Sequence, residues 1–350
     1  MRGTWRHNWQ SGASWLAASA FLGVITFCAV DSPARFPQTY DNIFHINGVL
    51  WILNTGDASP LDFRQLIEPD RASFYPAGWH SLAALVTQLT QLTTVASPND
   101  YSVLVPAAMN ATWLAVACAM WLPGVAWMTE VTLAMPADPS RRRIVPLALV
   151  LGASLPAMPY AMLSYGSLSP MFLAYATIPC LIALGVLIAR RRWPRFAPGA
   201  HSNCASLAAT DAEASENGKP PALPQWFLAC IFMFGLWALG CAQPRALLSL
   251  ALVIAPFVIT IGVRAFQYFW RVGGRTRKRA VVWVSCIAAA CVLMAAVAWI
   301  AIYILFDVAN RPISDHLNGP QATASTDLLG AITQLLTQFP LLGASSGPLP

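Results

Sequence analysis

An acid and an imidazole stand four residues apart at Asp41 and His45. They lie within Asp41–Asn54, a run whose apolar residues have helical spacing, and residues four apart share one helix face. Further on comes Phe74-Tyr75-Pro76-Ala77-Gly78-Trp79-His80, which adds a phenol, an indole and a second imidazole. A carboxylate, a phenol and two imidazoles are groups that exchange protons, and imidazole does so near neutral pH. The two stretches therefore make one candidate set for acid–base chemistry, provided the fold brings them together.

What positions them is set by composition. Of 350 residues 57% are apolar and only 10% are charged, against about a quarter in ordinary soluble domains. Mean hydropathy is +0.54. Such a chain cannot hide its apolar surface from water and reads as an all-α polytopic membrane protein. The sequence pI near 9.0 does not point to nucleic acid. Lys219 and Lys278 are the only lysines, and the arginines form short clusters between apolar runs, which is how membrane topology is set. Seven of the eight cysteines lie in or beside apolar runs, Cys204 being the exception, so neither zinc spacing nor a disulfide framework is read.

A spanning helix needs about 20 apolar residues. Seven runs approach this: Trp15–Val30, Val103–Met128, Ile144–Leu163, Pro170–Ala189, Gln225–Cys241, Ala246–Val263 and Val281–Phe306. The first follows Arg2 and Arg6 and lacks a small-residue cleavage site, so it reads as an uncleaved anchor. A cytoplasmic N-terminus puts Arg141–Arg143 and the 190–224 and 264–280 segments inside. Only Arg35, Arg64, Arg71, Arg245 and Arg311 of the 21 basic residues are then outside. This parity makes Trp79–Ala96 an interfacial or re-entrant segment rather than a crossing. About seven crossings are expected, with a long first extracytoplasmic loop carrying amphipathic helices.

The chain accordingly divides into an N-terminal transmembrane module at 1–189 with its outer loop at 31–102, and a linker at 190–224. Transmembrane helices at 225–306 and an extracytoplasmic tail at 307–350 follow. The linker is Ala-, Ser- and Pro-rich and reads as disordered cytoplasmic chain. The chain stops in GASSGPLP after an apolar run at Leu328–Leu342, the pattern of an interrupted sequence; the expectation is a fragment of a longer protein.

In the outer loop, Ile43, Ile46, Val49, Leu50 and Leu53 form the apolar stripe of the expected helix, with Phe44 and Trp51 flanking it. A helix lying on the bilayer would bury that stripe and aim Asp41 and His45 at a cavity. Gly56-Asp57 ends it. Pro76 and Gly78 bend the chain on its return, among aromatics that favour the membrane interface.

An acid just after the first span, at the start of an outer amphipathic helix and followed by an aromatic-Pro turn, resembles the front end of GT-C-fold glycosyltransferases. More closely, Tyr40-Asp41-x-x-x-His45 with Phe74-Tyr75-Pro76-Ala77-x-Trp79-His80 is similar to a family of large actinobacterial multispanning membrane proteins of unassigned function. The resemblance covers about residues 15–130 and continues weakly at Ser164–Pro170 and Gln243-Pro244-Arg245. It implies transfer of a sugar from a polyprenyl-phosphate donor to a cell-envelope glycan or protein on the outer face of the cell membrane. By that resemblance Asp41 is the catalytic carboxylate, a base for the acceptor hydroxyl, with His45 beside it. Arg245 would hold the lipid phosphate, and Tyr75, Trp79 and His80 would line the substrate site. Two departures stand out: Asn42 where the mannosyltransferase-like branch commonly has Glu, and His45 where it often has Tyr.

Each role has a plainer alternative. Asp41 fits an N-cap, Tyr75 and Trp79 fit interface anchors, and Arg245 fits a side chain snorkelling to the surface. His45 and His80 fit polar members of an interfacial helix. A divalent cation at Asp41 and the imidazoles is a further cofactor option, although no metal-ligand set is assigned. Two other functions compete with sugar transfer: a non-enzymatic membrane assembly partner and a transporter or lipid flippase. Against transport, the spans are almost free of charge and show no internal repeat. No nucleotide-binding loop is present, which argues against a nucleotide-sugar donor.

Overall fold

The computed structural model describes residues 2–30, 32–36, 40–66, 75–93, 101–133, 144–161, 168–192, 223–272 and 282. Helices and the short turns between them make up these residues, with no strand among them. The helices are α1 (Arg2–Val30), α2 (Tyr40–Thr55), α3 (Gly78–Thr93), α4 (Tyr101–Val116), α5 (Leu122–Thr132), α6 (Ile144–Ser154), α7 (Ser169–Arg192), α8 (Gln225–Ala242) and α9 (Pro244–Val272). A 3₁₀ turn at Asp62–Leu66 follows α2, and a π-helical segment at Ala117–Trp121 joins α4 to α5. The chain divides into two units at Pro256, and the site lies in the first.

Five stretches are long and apolar enough to cross a membrane: Ser11–Cys28, Tyr101–Thr132, Ser169–Arg190, Gln225–Ala242 and Pro244–Arg264. They coincide with five of the seven expected spans. The expected Val281–Phe306 span apart from Val282, the 190–224 linker apart from its ends, and the 307–350 tail lie outside the described residues. The expected continuous span Ile144–Leu163 differs. Its helix stops at Ser154, and Met158 has an extended backbone between Pro156 and Pro159. Of the expected Trp79–Ala96 segment, residues 79–93 belong to α3, which is not among the five.

Two proline-driven defects explain how the bundle holds together. Leu122 N–H donates to the Ala117 carbonyl in the π segment, and Pro123 has no N–H, so the Cys118 carbonyl loses its helical donor. The Trp15 indole of α1 donates to it at 2.8 Å. Likewise Pro156 cannot serve the Gly152 carbonyl at the end of α6; the Trp121 indole does, at 2.8 Å. Tyr160 Oη donates to the Ala153 carbonyl at 2.7 Å. In lipid a freed carbonyl has no water to turn to, so such partners are obligatory. Small residues bring helices close: a Cβ on Gly124 of α5 would stand 3.0 Å from Cys180 Sγ of α7. Arg190, near the end of α7, donates to the last carbonyls of α5, at Val131 and Thr132.

Around this bundle, α2 and α3 pack on each other and on α4, and α3 also reaches α7 and α8. Two apolar clusters result. The larger joins Leu22, Trp79, Trp113, Phe172 and Leu239; the smaller joins Val49, Ile52, Phe63, Ala83, Ala84 and Val105.

Candidate functional site

The buried face of α2 is Asn42, His45, Gly48, Val49 and Ile52, spaced as one stripe of a helix. It is turned by about one residue, roughly 100°, from the stripe that apolar counting gives. Ile43, expected inside, is 49% exposed, while Ile46, Leu50 and Leu53 are half-buried. The reason is His45. It goes inward because α3 supplies it with a partner, and the helix rotates with it. Asp41, one turn back, is exposed; it and His45 do not enter one cavity together.

Local chemistry then routes the chain from α2 to α3. Gly56, with φ +73°, ends the helix, and its N–H donates to the Ile52 carbonyl. Asp57 Oδ1 accepts from the Ser59 N–H at 2.7 Å, so this carboxylate serves a turn. Pro60 accepts from the Tyr75 N–H at 3.0 Å, tying the start of the second motif to the first loop. Gly78 opens α3 against the end of α8: a Cβ there would be 3.2 Å from both Ala242 Cα and the Cys241 carbonyl oxygen. The next residues of that chain are Gln243, Pro244 and Arg245.

The two motifs meet as a box of rings. His45 Nδ1 and His80 Nε2 are 3.0 Å apart and hydrogen-bonded, and both residues are buried. Phe44 meets Tyr75 edge-on at 4.7 Å between centroids. Phe63 lies 5.0 Å from His80 and stacks at 6.4 Å on Tyr75. Room for the His80 ring comes from Gly48. A Cβ there would be 2.7 Å from His80 Cδ2 and 2.9 Å from Phe63 Cε1.

Electrostatics follow from burial. Desolvation lowers His45 from 6.5 to about 4. His80 is lowered well below its ordinary value, by burial first and by the neighbouring His45 second, while the Pro76 carbonyl opposes this. That carbonyl does not reach hydrogen-bonding geometry with His80 Nδ1, which has no partner among the described residues. Burial also raises the Tyr75 phenol; the Asp41 carboxylate adds to the rise and the Arg245 guanidinium opposes it. Asp41 and Arg245, from two other elements, are thus each within electrostatic reach of Tyr75.

Of the residues singled out in the sequence, His45, Tyr75 and His80 meet in this box, and the charges of Asp41 and Arg245 act on Tyr75. Trp79 does not join them. It points from α3 into the larger cluster and is fully buried, as neither an interface anchor nor a surface a sugar could reach. Gly48, Phe63 and the burial of Asn42 were not foreseen; a glycine in the middle of an apolar helix was the one available signal. Among the described residues no group of three His, Cys, Asp or Glu could hold a metal ion.

A family model described as a family of unknown function (DUF6541) matches residues 2–347. No curated protein and no solved structure matches the chain.

Proposed function

From the premise that the chain belongs to the DUF6541 family and crosses the membrane several times, we propose a glycosyl-transfer function for the site that Asp41, Tyr75 and Arg245 form. The donor would be a sugar carried on a polyprenyl phosphate, the acceptor a hydroxyl of a cell-envelope glycan or protein, and the working face the outer one. One observation carries this reading: the charges of Asp41 and Arg245 both act on Tyr75. A carboxylate and a guanidinium from different helices thus act on one aromatic residue, and both are exposed.

The division of labour follows from charge. Arg245 supplies a planar pair of donors to a phosphate and stabilises the negative charge that grows on it as the sugar leaves. Asp41, in the first turn of α2, takes the proton of the attacking hydroxyl. Tyr75, on which both charges act, brings an apolar ring with a polar tip. Its phenol stays protonated, because burial and Asp41 both oppose ionisation.

The test is saturable binding of a polyprenyl-phosphate lipid to the protein in nanodiscs. Arg245→Ala is expected to weaken binding. Asp41→Asn is expected to keep binding and abolish sugar transfer. Binding that ignores Arg245→Ala would sink the phosphate role. One feature favours a non-enzymatic assembly partner instead: Asn42, where resembling enzymes commonly have a second acid, is turned into the protein and offers no exposed carboxylate. Full function in the Asp41→Asn variant would select that reading.

A further inference from the structure

Sugar transfer as described uses Asp41, Tyr75 and Arg245 and leaves the two imidazoles beside them without a task. His45 is 3% exposed and His80 0%. They are joined by one N···N hydrogen bond of 3.0 Å. Such a bond needs one N–H and one lone pair, so two imidazolium rings cannot form it. The His80 ring occupies the space that a Cβ on Gly48 would take, and its centroid lies 5.0 Å from that of Phe63. Phe44 and Tyr75 face the pair from further sides. Water to hydrate a charged imidazole therefore reaches the pair when α2 and α3 part.

We propose that the His45–His80 bond is an acid-operated latch between α2 and α3, which keeps Asp41 and Tyr75 in register at neutral pH and releases them in acid. That the latch governs a substrate site rests on the sugar-transfer reading; the parting of the two helices does not. The ionisable groups on the surrounding elements include Asp41 on α2, Asp62 and Arg64 on the 3₁₀ turn, Tyr75 ahead of α3, Tyr101 on α4, Tyr175 and Cys180 on α7, Cys241 on α8 and Arg245 on α9. Asp41 and Arg245 act on Tyr75. Among the described residues no carboxylate acts on either imidazole to stabilise its charged form. The closed form thus refuses protons that hydrated histidines accept below about 6.5. As pH falls through that value the parted form gains population, by up to about tenfold per pH unit for each histidine.

The experiment is hydrogen–deuterium exchange of the α2 amides in the whole chain, held in lipid nanodiscs, between about pH 7 and about pH 4.5, corrected for intrinsic exchange. Exchange through opening of α2 is expected to rise by more than about tenfold per pH unit in the wild type. His45→Gln and His80→Gln are each expected to reduce the slope to about tenfold or less, and the double variant to flatten it. A flat wild-type profile overturns the latch, and so does a double variant as steep as the wild type. If a variant does not fold, the wild-type profile alone decides. Polyprenyl-phosphate binding at pH 7 with Arg245→Ala reads the site separately, so its failure leaves the latch standing and shows only what the latch does not control.

Discussion

The Cβ that Gly48 lacks would stand 2.7 Å from Cδ2 of His80, closer than real Cβ atoms come to a neighbour. Gly48 is one turn beyond His45, so α2 presents first a ring nitrogen and then a hollow to the same imidazole of α3. The hydrogen bond and the hollow specify each other: one fixes the direction of His80, the other its depth.

Gly48→Ala is therefore expected to destabilise the protein even though alanine favours helix. Overpacking costs about 1–3 kcal/mol, and the gain in helix propensity returns only about 1 kcal/mol or less. Gly23→Ala in α1, where an added Cβ meets nothing within 4 Å, should be neutral or stabilising. Thermal unfolding of the two variants in one detergent checks the contrast; equal melting temperatures would remove the hollow from the argument.

Stability should fall in mild acid. His45 is held near about 4 in the folded protein against 6.5 when free. Above about 6.5 both states are neutral and stability is at its plateau. As pH drops from there toward about 4, the unfolded chain binds a proton that the folded chain does not. The loss should approach roughly 3 kcal/mol for this residue, with His80 adding in the same direction. Chemical denaturation of wild type and His45→Gln between pH 7 and pH 5 measures it, and parallel pH profiles would count against a buried neutral ring.

Arg245→Ala is expected to weaken binding of a polyprenyl-phosphate lipid by about 10–100-fold, the size of one charge-assisted contact. Asp41→Asn should leave that affinity within about threefold, since a base for the acceptor need not touch the phosphate. Titration in nanodiscs separates the two. Equal losses in both variants would mean that Asp41 and Arg245 do not divide the work as proposed.

Trp121→Phe is expected to cost about 1–3 kcal/mol, because it keeps an aromatic ring but strands the Gly152 carbonyl. Trp237→Phe is the control, its ring being 65% exposed. A chemical or thermal melt that ranks the two the other way would show that ring packing, and not the N–H, is what matters at Trp121.

Much of this was legible in the chain before its fold was known. Five of the seven expected spans were, because about 20 apolar residues in a row leave few alternatives. So was the pairing of the Asp41–His45 and Tyr75–His80 motifs. The rotation of α2 was not: apolar counting places histidine on the polar face, and only the partner on α3 makes burial of His45 affordable. Trp79 failed for a related reason. It neighbours His80 in sequence, but on a helix adjacent residues point about 100° apart, so one enters the site and the other the bundle. The break in α6 was written in Pro156 and Pro159, yet its tolerance depends on Trp121, a residue of another helix.

That dependence bears on how the protein is made. On its own in lipid, α6 would carry a Gly152 carbonyl left without a backbone N–H donor by Pro156, and the indole that serves it comes from Trp121, just ahead of α5. The stretch from Trp121 through α6 is then the smallest piece in which this carbonyl is served. Biogenesis should treat α5 and α6 as a single hairpin: a nascent chain arrested before α6 emerges integrates cleanly, whereas α6 delivered without α5 stalls at the translocon.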